Sequence, residues 1–182
     1  MITFKAQYIR PVNILKRGID KKYYPYEASF IQLNPKIERD VVALNEANIN
    51  WDCGETFASD IALHMNEIWR GKPNKKERNF YALTKSSASL KNLMKDDFLG
   101  FIEVSKLDSN TQEIEYIQVN PAYLNSPKGR DFVKIGKGLL DSIKLLFKEK
   151  NIELYSNSTA INFYKQNGFL PKNEFGRLFL CR

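Results

Sequence analysis

Asn157-Ser158-Thr159-Ala160-Ile161-Asn162-Phe163-Tyr164-Lys165-Gln166-Asn167-Gly168-Phe169 sets its Asn, Ala, Phe-Tyr and Gly-Phe in the arrangement N-x-x-A-x-x-F-Y-x-x-x-G-F. Its middle, Ser158 to Gln166, reads as a short helix, and the residues just before it, Ile152 to Tyr155, read as a short strand. Further upstream, Gly138 to Lys150 puts Leu139, Leu140, Ile143, Leu146 and Phe147 on one helical face, with Lys137, Asp141, Lys144 and Lys148 mostly outside it. A strand from Glu113 to Val119 precedes that helix. Strand, helix, strand in this order predicts a right-handed crossover with the two strands parallel. The helix start then faces the carboxyl end of the first strand, where free N–H groups and the positive end of the helix dipole favour an anionic ligand.

Gly136-Lys137-Gly138 lies where this helix must begin. Glycine there lets the backbone approach a phosphate closely, and the exposed amides can donate to its oxygens. A dinucleotide fingerprint is excluded because Asp141 stands where its third Gly is needed. A P-loop is excluded because Asp131 and Gly138 stand where it needs Gly and Ser or Thr. On these residues alone the turn is either a phosphate cradle or a helix cap with glycines for tight packing. Charge favours an anion: from Pro121 to Lys150 there are six Lys and one Arg against Asp131, Asp141 and Glu149.

The pattern at 157–169, together with Val119-Asn120-Pro121 and Val133 to Leu140, resembles the two coenzyme-A-binding motifs of the GNAT acetyltransferase superfamily. The first of these is a strand ending in V-x-P, then Q/R-x-x-G-x-G/A and an apolar helix. The resemblance extends from about Phe98 to Phe169. Two departures stand out: Val133 replaces the Gln or Arg, and the loop from Pro121 to Gly136 is longer than usual, with Lys128, Arg130 and Lys134 as candidates to supply the missing charge. The resemblance implies an α/β fold: a mixed, mostly antiparallel sheet with a parallel βαβ crossover at the cofactor site and flanking helices. It further implies one domain over 1–182, with a cofactor-binding core at 98–169 and a variable part at 1–50.

The same resemblance implies acetyl-CoA as co-substrate, and no metal. The amides of Lys134, Ile135, Gly136, Lys137, Gly138 and Leu139 would hold the pyrophosphate, and the backbone of Ile117, Gln118 and Val119 would pair with pantetheine. Asn157 would hydrogen-bond the pantetheine arm, and Tyr164 would direct its hydroxyl at the sulfur or else pack as a core residue. A lysine-like acceptor, with a pKa of ~10.4, needs a base. Glu115 is the first choice and Glu113 the second, both expected on the same side of their strand as Ile117 and Val119. Glu153 is a third option. The reaction implied is acetyl transfer to a primary amine by direct attack through a tetrahedral intermediate. The alternatives are a non-catalytic acyl-CoA-binding regulatory module and an acetyltransferase acting on aminoacyl-tRNA.

Elsewhere Phe4 to Leu15 and Tyr23 to Leu33 read as strands of a hairpin-like arm about Arg17-Gly18-Ile19-Asp20. Glu55 to Arg70 reads as an amphipathic helix, and Asn79 to Thr84 and Phe98 to Lys106 as strands of a meander. Phe175 to Leu180 reads as a final strand. His64, four residues after Asp60, suits a local hydrogen bond or ion pair. Trp51, Trp69 and Tyr23-Tyr24-Pro25-Tyr26 are read mainly as core cover, with an acceptor site as the other option. Cys53 and Cys181 have no CxxC or His neighbours and read as ordinary thiols.

A chain of 182 residues, 43% hydrophobic and +7 in charge, can fill one core and favours anionic partners. No stretch approaches the ~20 apolar residues of a membrane span, and the start lacks the order of a secretory signal, so a cytoplasmic protein with no membrane partner is expected. The acceptor is read as a small-molecule or protein amine, with nucleic acid supported only by the net charge; a dimer is compatible with the sequence.

Overall fold

β-branched and aromatic residues alternate with polar ones on both sides of a turn at Gly18–Lys22, which closes by a hydrogen bond from the Gly18 amide to the Lys22 carbonyl, 2.8 Å. The computed structural model describes residues 6–51, 57–124, 130–173 and 177–180. In it this hairpin is β1 (Gln7–Arg17) and β2 (Tyr23–Leu33), antiparallel throughout. There follow α1 (Glu38–Asn50), α2 (Phe57–Trp69), β3 (Arg78–Thr84), β4 (Phe98–Lys106), β5 (Thr111–Val119), β6 (Phe132–Val133) and α3 (Ile135–Leu146). The chain continues with β7 (Asn151–Tyr155), α4 (Ile161–Gln166), β8 (Leu170–Pro171) and β9 (Arg177–Leu180).

The described strands form one sheet in the order β6-β1-β2-β3-β4-β5-β7-β9-β8. Only β5 and β7 run parallel, as a crossover through α3 requires. The expected arm is not an appendage. Through β2 it continues the sheet beyond β3, and through β1 it pairs with β6, Leu15 opposite Val133.

Helices cover both faces. On one, α3 buries Leu139, Leu140 and Ile143 against Val12, Ile14, Leu83, Ile102 and Ile114. On the other, α1 and α2 bury Leu44, Ala47, Ile61 and Met65 against Ile31, Leu33, Phe80 and Phe101. At about 1.5–3 kcal/mol for each large side chain fully buried, these two layers supply the main drive for folding.

Three differences from the expected elements have physical causes. α1 was not anticipated because its inward positions, Val41, Ala43, Leu44 and Ala47, are mostly small, and three Asn in the helix weaken its propensity. α3 starts at Ile135 instead of Gly138, because Lys134 adopts the left-handed conformation (φ 67°) and turns the chain directly from β6 into the helix. It ends at Leu146 instead of Lys150, with a turn leading into β7. Cys53, Glu55, Phe175, Cys181 and Lys128 lie outside the described residues. Among the described residues, no helix is long and apolar enough to cross a membrane.

Candidate active site

The site begins with two parallel strands that part. β5 and β7 pair from Thr111 opposite Asn151 to Ile114 opposite Leu154. Beyond Ile114, β5 stays paired with β4 as far as Val119, but no described strand lies on its other edge. A β-bulge sits at the parting point: Val104 faces Ile114 and Glu103 faces Tyr116, leaving Glu115 as the extra residue. The gap is a cavity of about 50 Å³ lined by Ile114, Glu115, Tyr116 and Ile117 on one side and Tyr155, Ser156, Asn157, Ala160 and Tyr164 on the other, with Phe57.

The bulge corrects the expectation that Glu113 and Glu115 share a side with Ile117 and Val119. Ile114, Ile117 and Val119 face α3, three residues apart across the bulge, whereas Tyr116 packs on α2. Glu113 and Glu115 both reach Lys76, at 2.9 and 2.6 Å from its Nζ. Glu115 also accepts from Ser105 Oγ at 2.6 Å. Burial pushes its carboxyl up, but the hydrogen bonds from Lys76 and Ser105, with the charges of Lys76 and Arg78, outweigh it and hold the pKa below the ordinary carboxylate value. Glu153 is fastened by Lys172 and Arg177, each at 2.6 Å, and its pKa is likewise lowered, burial notwithstanding. Of the three candidate bases, Glu115 alone lines the gap.

Tyr164 lines both this gap and the larger cleft beyond it. It is 6% exposed, and its ring meets Phe163 and Phe169 edge-on at 5.2 and 6.0 Å. Burial pushes the phenol up to about 12. Its ring is therefore packed in the core at the edge of the cavity. Asn157 spends its Oδ1 on Thr159 Oγ1 and the Ala160 amide, at 2.9 and 3.0 Å, holding the turn into α4. Only its amide nitrogen is left for a ligand.

The larger cleft, about 530 Å³, runs from Ile117, Gln118 and Val119 past Phe163 to the start of α3, with Arg130, Lys134 and Lys137 at that end. Lys134 caps the helix, and the first intrahelical bond closes from the Gly138 amide to the Lys134 carbonyl at 2.9 Å. The helix therefore leaves the amides of Lys134, Ile135, Gly136 and Lys137 without intrahelical acceptors, while those of Gly138 and Leu139 are spent inside it. Of the six amides expected at a phosphate, two are therefore used within the helix. Gly136 packs closely on the Phe163 ring, from which a Cβ would lie 3.2 Å. Four amides without intrahelical acceptors beside Arg130 and Lys134, with Lys137 paired to Asp141 at 2.6 Å, fit a phosphorylated, elongated ligand in a cleft of this volume.

Gly138 does something else. A Cβ on it would lie 2.9 Å from Val12 Cγ1 and 3.3 Å from Ile14 Cγ2, so it is where α3 touches β1. Gly138→Val should then cost about 1–3 kcal/mol by overpacking, read as a lower urea midpoint, with little direct effect on a ligand at the amides. A pure phosphate-contact role would give the reverse.

The long loop before α3 is fastened to the N-terminal hairpin. The Arg17 amide donates to the Asp131 carbonyl at 2.7 Å, and Tyr23 Oη donates to the Arg130 carbonyl at 2.9 Å. Phe132 is held edge-on between Tyr26 and Tyr123, at 5.1 and 5.2 Å. Of the aromatic residues expected in the core, Trp51 is there, against Phe101 at 4.6 Å, whereas Tyr23, Tyr24 and Trp69 are exposed. His64 does not pair with Asp60. Its Nδ1 lies 3.0 Å from both oxygens of Glu103, a fully buried carboxylate that Arg78 also binds. Neither Lys76 nor Glu103 stands in a motif, and no local spacing joins Lys76 to Glu115 or Glu103 to His64.

Compared by sequence, the chain matches no family model and no curated protein. Compared by structure, it is similar to the N-acetyltransferase PseH of Campylobacter jejuni, with TM-score 0.51, 14% identity, and 84% of this chain and 98% of that chain covered. It is also similar to a GNAT-family acetyltransferase of Staphylococcus aureus, with TM-score 0.50, 20% identity, and 84% and 96% covered. A putative GNAT-family acetyltransferase of Desulfovibrio desulfuricans gives TM-score 0.51 at 13% identity, with 84% and 94% covered. The fold of this chain is the GNAT fold.

Proposed function

We propose that the chain is an acetyl-CoA-dependent N-acyltransferase acting on a primary amine. The observation that carries this reading is the parting of β5 from β7, with Tyr164 lining the gap and the amides of Lys134–Lys137, which have no intrahelical acceptors, at the far end of the same cleft. Acetyl-CoA would supply an activated acetyl carbonyl and a thiolate leaving group.

The chain's own residues account for the rest. The Lys134, Ile135, Gly136 and Lys137 amides, with Arg130 and the Lys134 ammonium, hold phosphate oxygens. The open edge of β5 at Ile117–Val119 offers backbone groups to an amide-bearing arm, as an added strand would find them. The Asn157 amide nitrogen donates to the same arm. An N–H near Val119 would polarise the thioester carbonyl as negative charge develops on its oxygen, the kind of interaction that usually contributes most to catalysis. Glu115 takes a proton from the acceptor ammonium, directly or through a water, and Tyr164 gives one to the departing sulfur.

Acetyl-CoA at a hundred times its dissociation constant should stabilise the protein by ~2.7 kcal/mol, a rise in melting temperature of roughly 5–10 °C for a chain of this size. Thermal denaturation with acetyl-CoA and with desulfo-CoA tests this. An unchanged melting temperature at millimolar concentrations of both would overturn the reading.

A further inference from the structure

Lys76 stands outside the expected machinery, yet its amine, like the Ser105 hydroxyl, touches Glu115. It lies in the loop joining α2 to β3 and places its Nζ 2.6 Å from Glu115 Oε1 and 2.9 Å from Glu113 Oε2. Glu115 is the bulge residue and forms the wall of the gap opposite Tyr164. The chain thus holds a primary amine of its own against the carboxylate that an acceptor ammonium from solution would have to meet. Nearby lysines do not compete for this place: Lys72 pairs with Glu67, and Lys72 and Lys75 line a separate cavity with His64 and Arg78.

We infer that Lys76 is a self-acetylation site, to which the chain transfers an acetyl group from acetyl-CoA within one molecule; this rests on the acetyltransferase reading above. Glu115 takes one proton from the Lys76 ammonium, and the freed Nζ lone pair forms a C–N bond to the acetyl carbonyl carbon. The C–S bond breaks, and its electron pair leaves on the coenzyme A sulfur, which takes the Tyr164 hydroxyl proton. The second proton of the new amide nitrogen restores the Tyr164 hydroxyl through water, and Glu115 releases its proton to solvent. The net change is ammonium plus thioester to amide, thiol and one proton.

The product has a consequence for the same site. An acetamide carries no charge, so the bridge from Lys76 to Glu113 and Glu115 is lost; Glu115 keeps its hydrogen bond from Ser105 and Glu113 its contact with Arg177 at 4.0 Å, and the place of the Lys76 cation is open to an incoming ammonium. The Lys76 hydrogen bond and charge are among the influences that outweigh burial at Glu115, so its basicity rises once they are gone. Self-acetylation therefore opens and activates the acceptor side.

The test incubates the purified full chain with acetyl-CoA and maps acetylated peptides by mass spectrometry, beside Lys76→Arg, which keeps a cation but has no acylable amine, and Tyr164→Phe. The expected result is one acetyl group on Lys76, formed at a rate independent of protein concentration, absent in Lys76→Arg and slowed in Tyr164→Phe. Without any acetyl donor, Lys76→Gln should raise the Glu115 pKa in a carboxyl NMR titration. A melting-temperature rise with acetyl-CoA while Lys76 stays unmodified overturns this inference and leaves the proposed function standing. Acetylation spread over exposed lysines at the same rate in Tyr164→Phe also overturns it. No melting-temperature rise overturns both.

Discussion

Tyr164→Phe is expected to lower the turnover number by about 10²-fold or more, the usual contribution of a positioned proton donor, while acetyl-CoA still stabilises the protein to the wild-type extent. The ring contacts to Phe163 and Phe169 are aromatic and survive the change, so the substitution removes only the phenolic oxygen. Coenzyme A leaves as a thiolate with an intrinsic pKa near the ~8.5 of a thiol, and burial keeps the phenol protonated up to about 12. The donor is therefore loaded throughout the neutral and mildly alkaline range. It follows that the rate should climb with pH as the acceptor amine, near ~10.4 when unperturbed, loses its proton, with no downturn from Tyr164 below that point. The comparison uses a saturating amine acceptor and single-turnover conditions, so that slow product release does not mask the chemistry. Equal single-turnover rates would make Tyr164 a packing residue only. Acetyl-CoA binding with no transfer by the wild-type chain to any amine would favour the non-catalytic binding module instead.

The backbone of the proposed cofactor cleft is more legible in the sequence than the proposed acceptor side, and the reason is local encoding. The Asn157–Phe169 pattern, the glycine turn and the apolar face of α3 each lie within a short run of chain, so spacing alone places their backbones. Which amides are free depends on Lys134 taking a positive φ, which a lysine rarely does, and which glycine packs depends on Val12, more than a hundred residues away. The acceptor side depends on one inserted residue. Without the bulge at Glu115, strict alternation would put Glu113 and Glu115 on the face of Ile117 and Val119; with it they turn to the α2 side and meet Lys76. Period-two reasoning cannot see a bulge, because the compensating register is written in the partner strand. The His64–Glu103–Arg78 cluster was hidden for a related reason. It joins α2, β4 and β3, and no local spacing brings those three residues together.

That cluster carries the largest expected effect on stability. Glu103 is fully buried, and Arg78 and His64 are each less than a fifth exposed. Removing one partner of such a pair strands a charge away from water, so Arg78→Met should cost roughly 3–5 kcal/mol at neutral pH. The methionine keeps much of the aliphatic packing, which leaves the stranded carboxylate as the main deficit. Burial already holds the Glu103 carboxyl above its ordinary value, against the pull of His64 and Arg78, and loss of the guanidinium moves it further up. A carboxyl whose folded pKa exceeds its unfolded pKa favours the fold when protonated, and that contribution is lost as pH rises through the folded value. The gap between wild type and Arg78→Met should therefore be widest at neutral pH and narrow as acidification protonates Glu103 in the variant. Glu103→Gln combined with Arg78→Met removes the charge itself and should recover most of the loss at neutral pH. Urea denaturation of the three proteins between neutral pH and the unfolded carboxyl range measures this directly. If the deficit of Arg78→Met does not change with pH and the double variant recovers nothing, the loss is one of side-chain packing and the buried charge is not its cause.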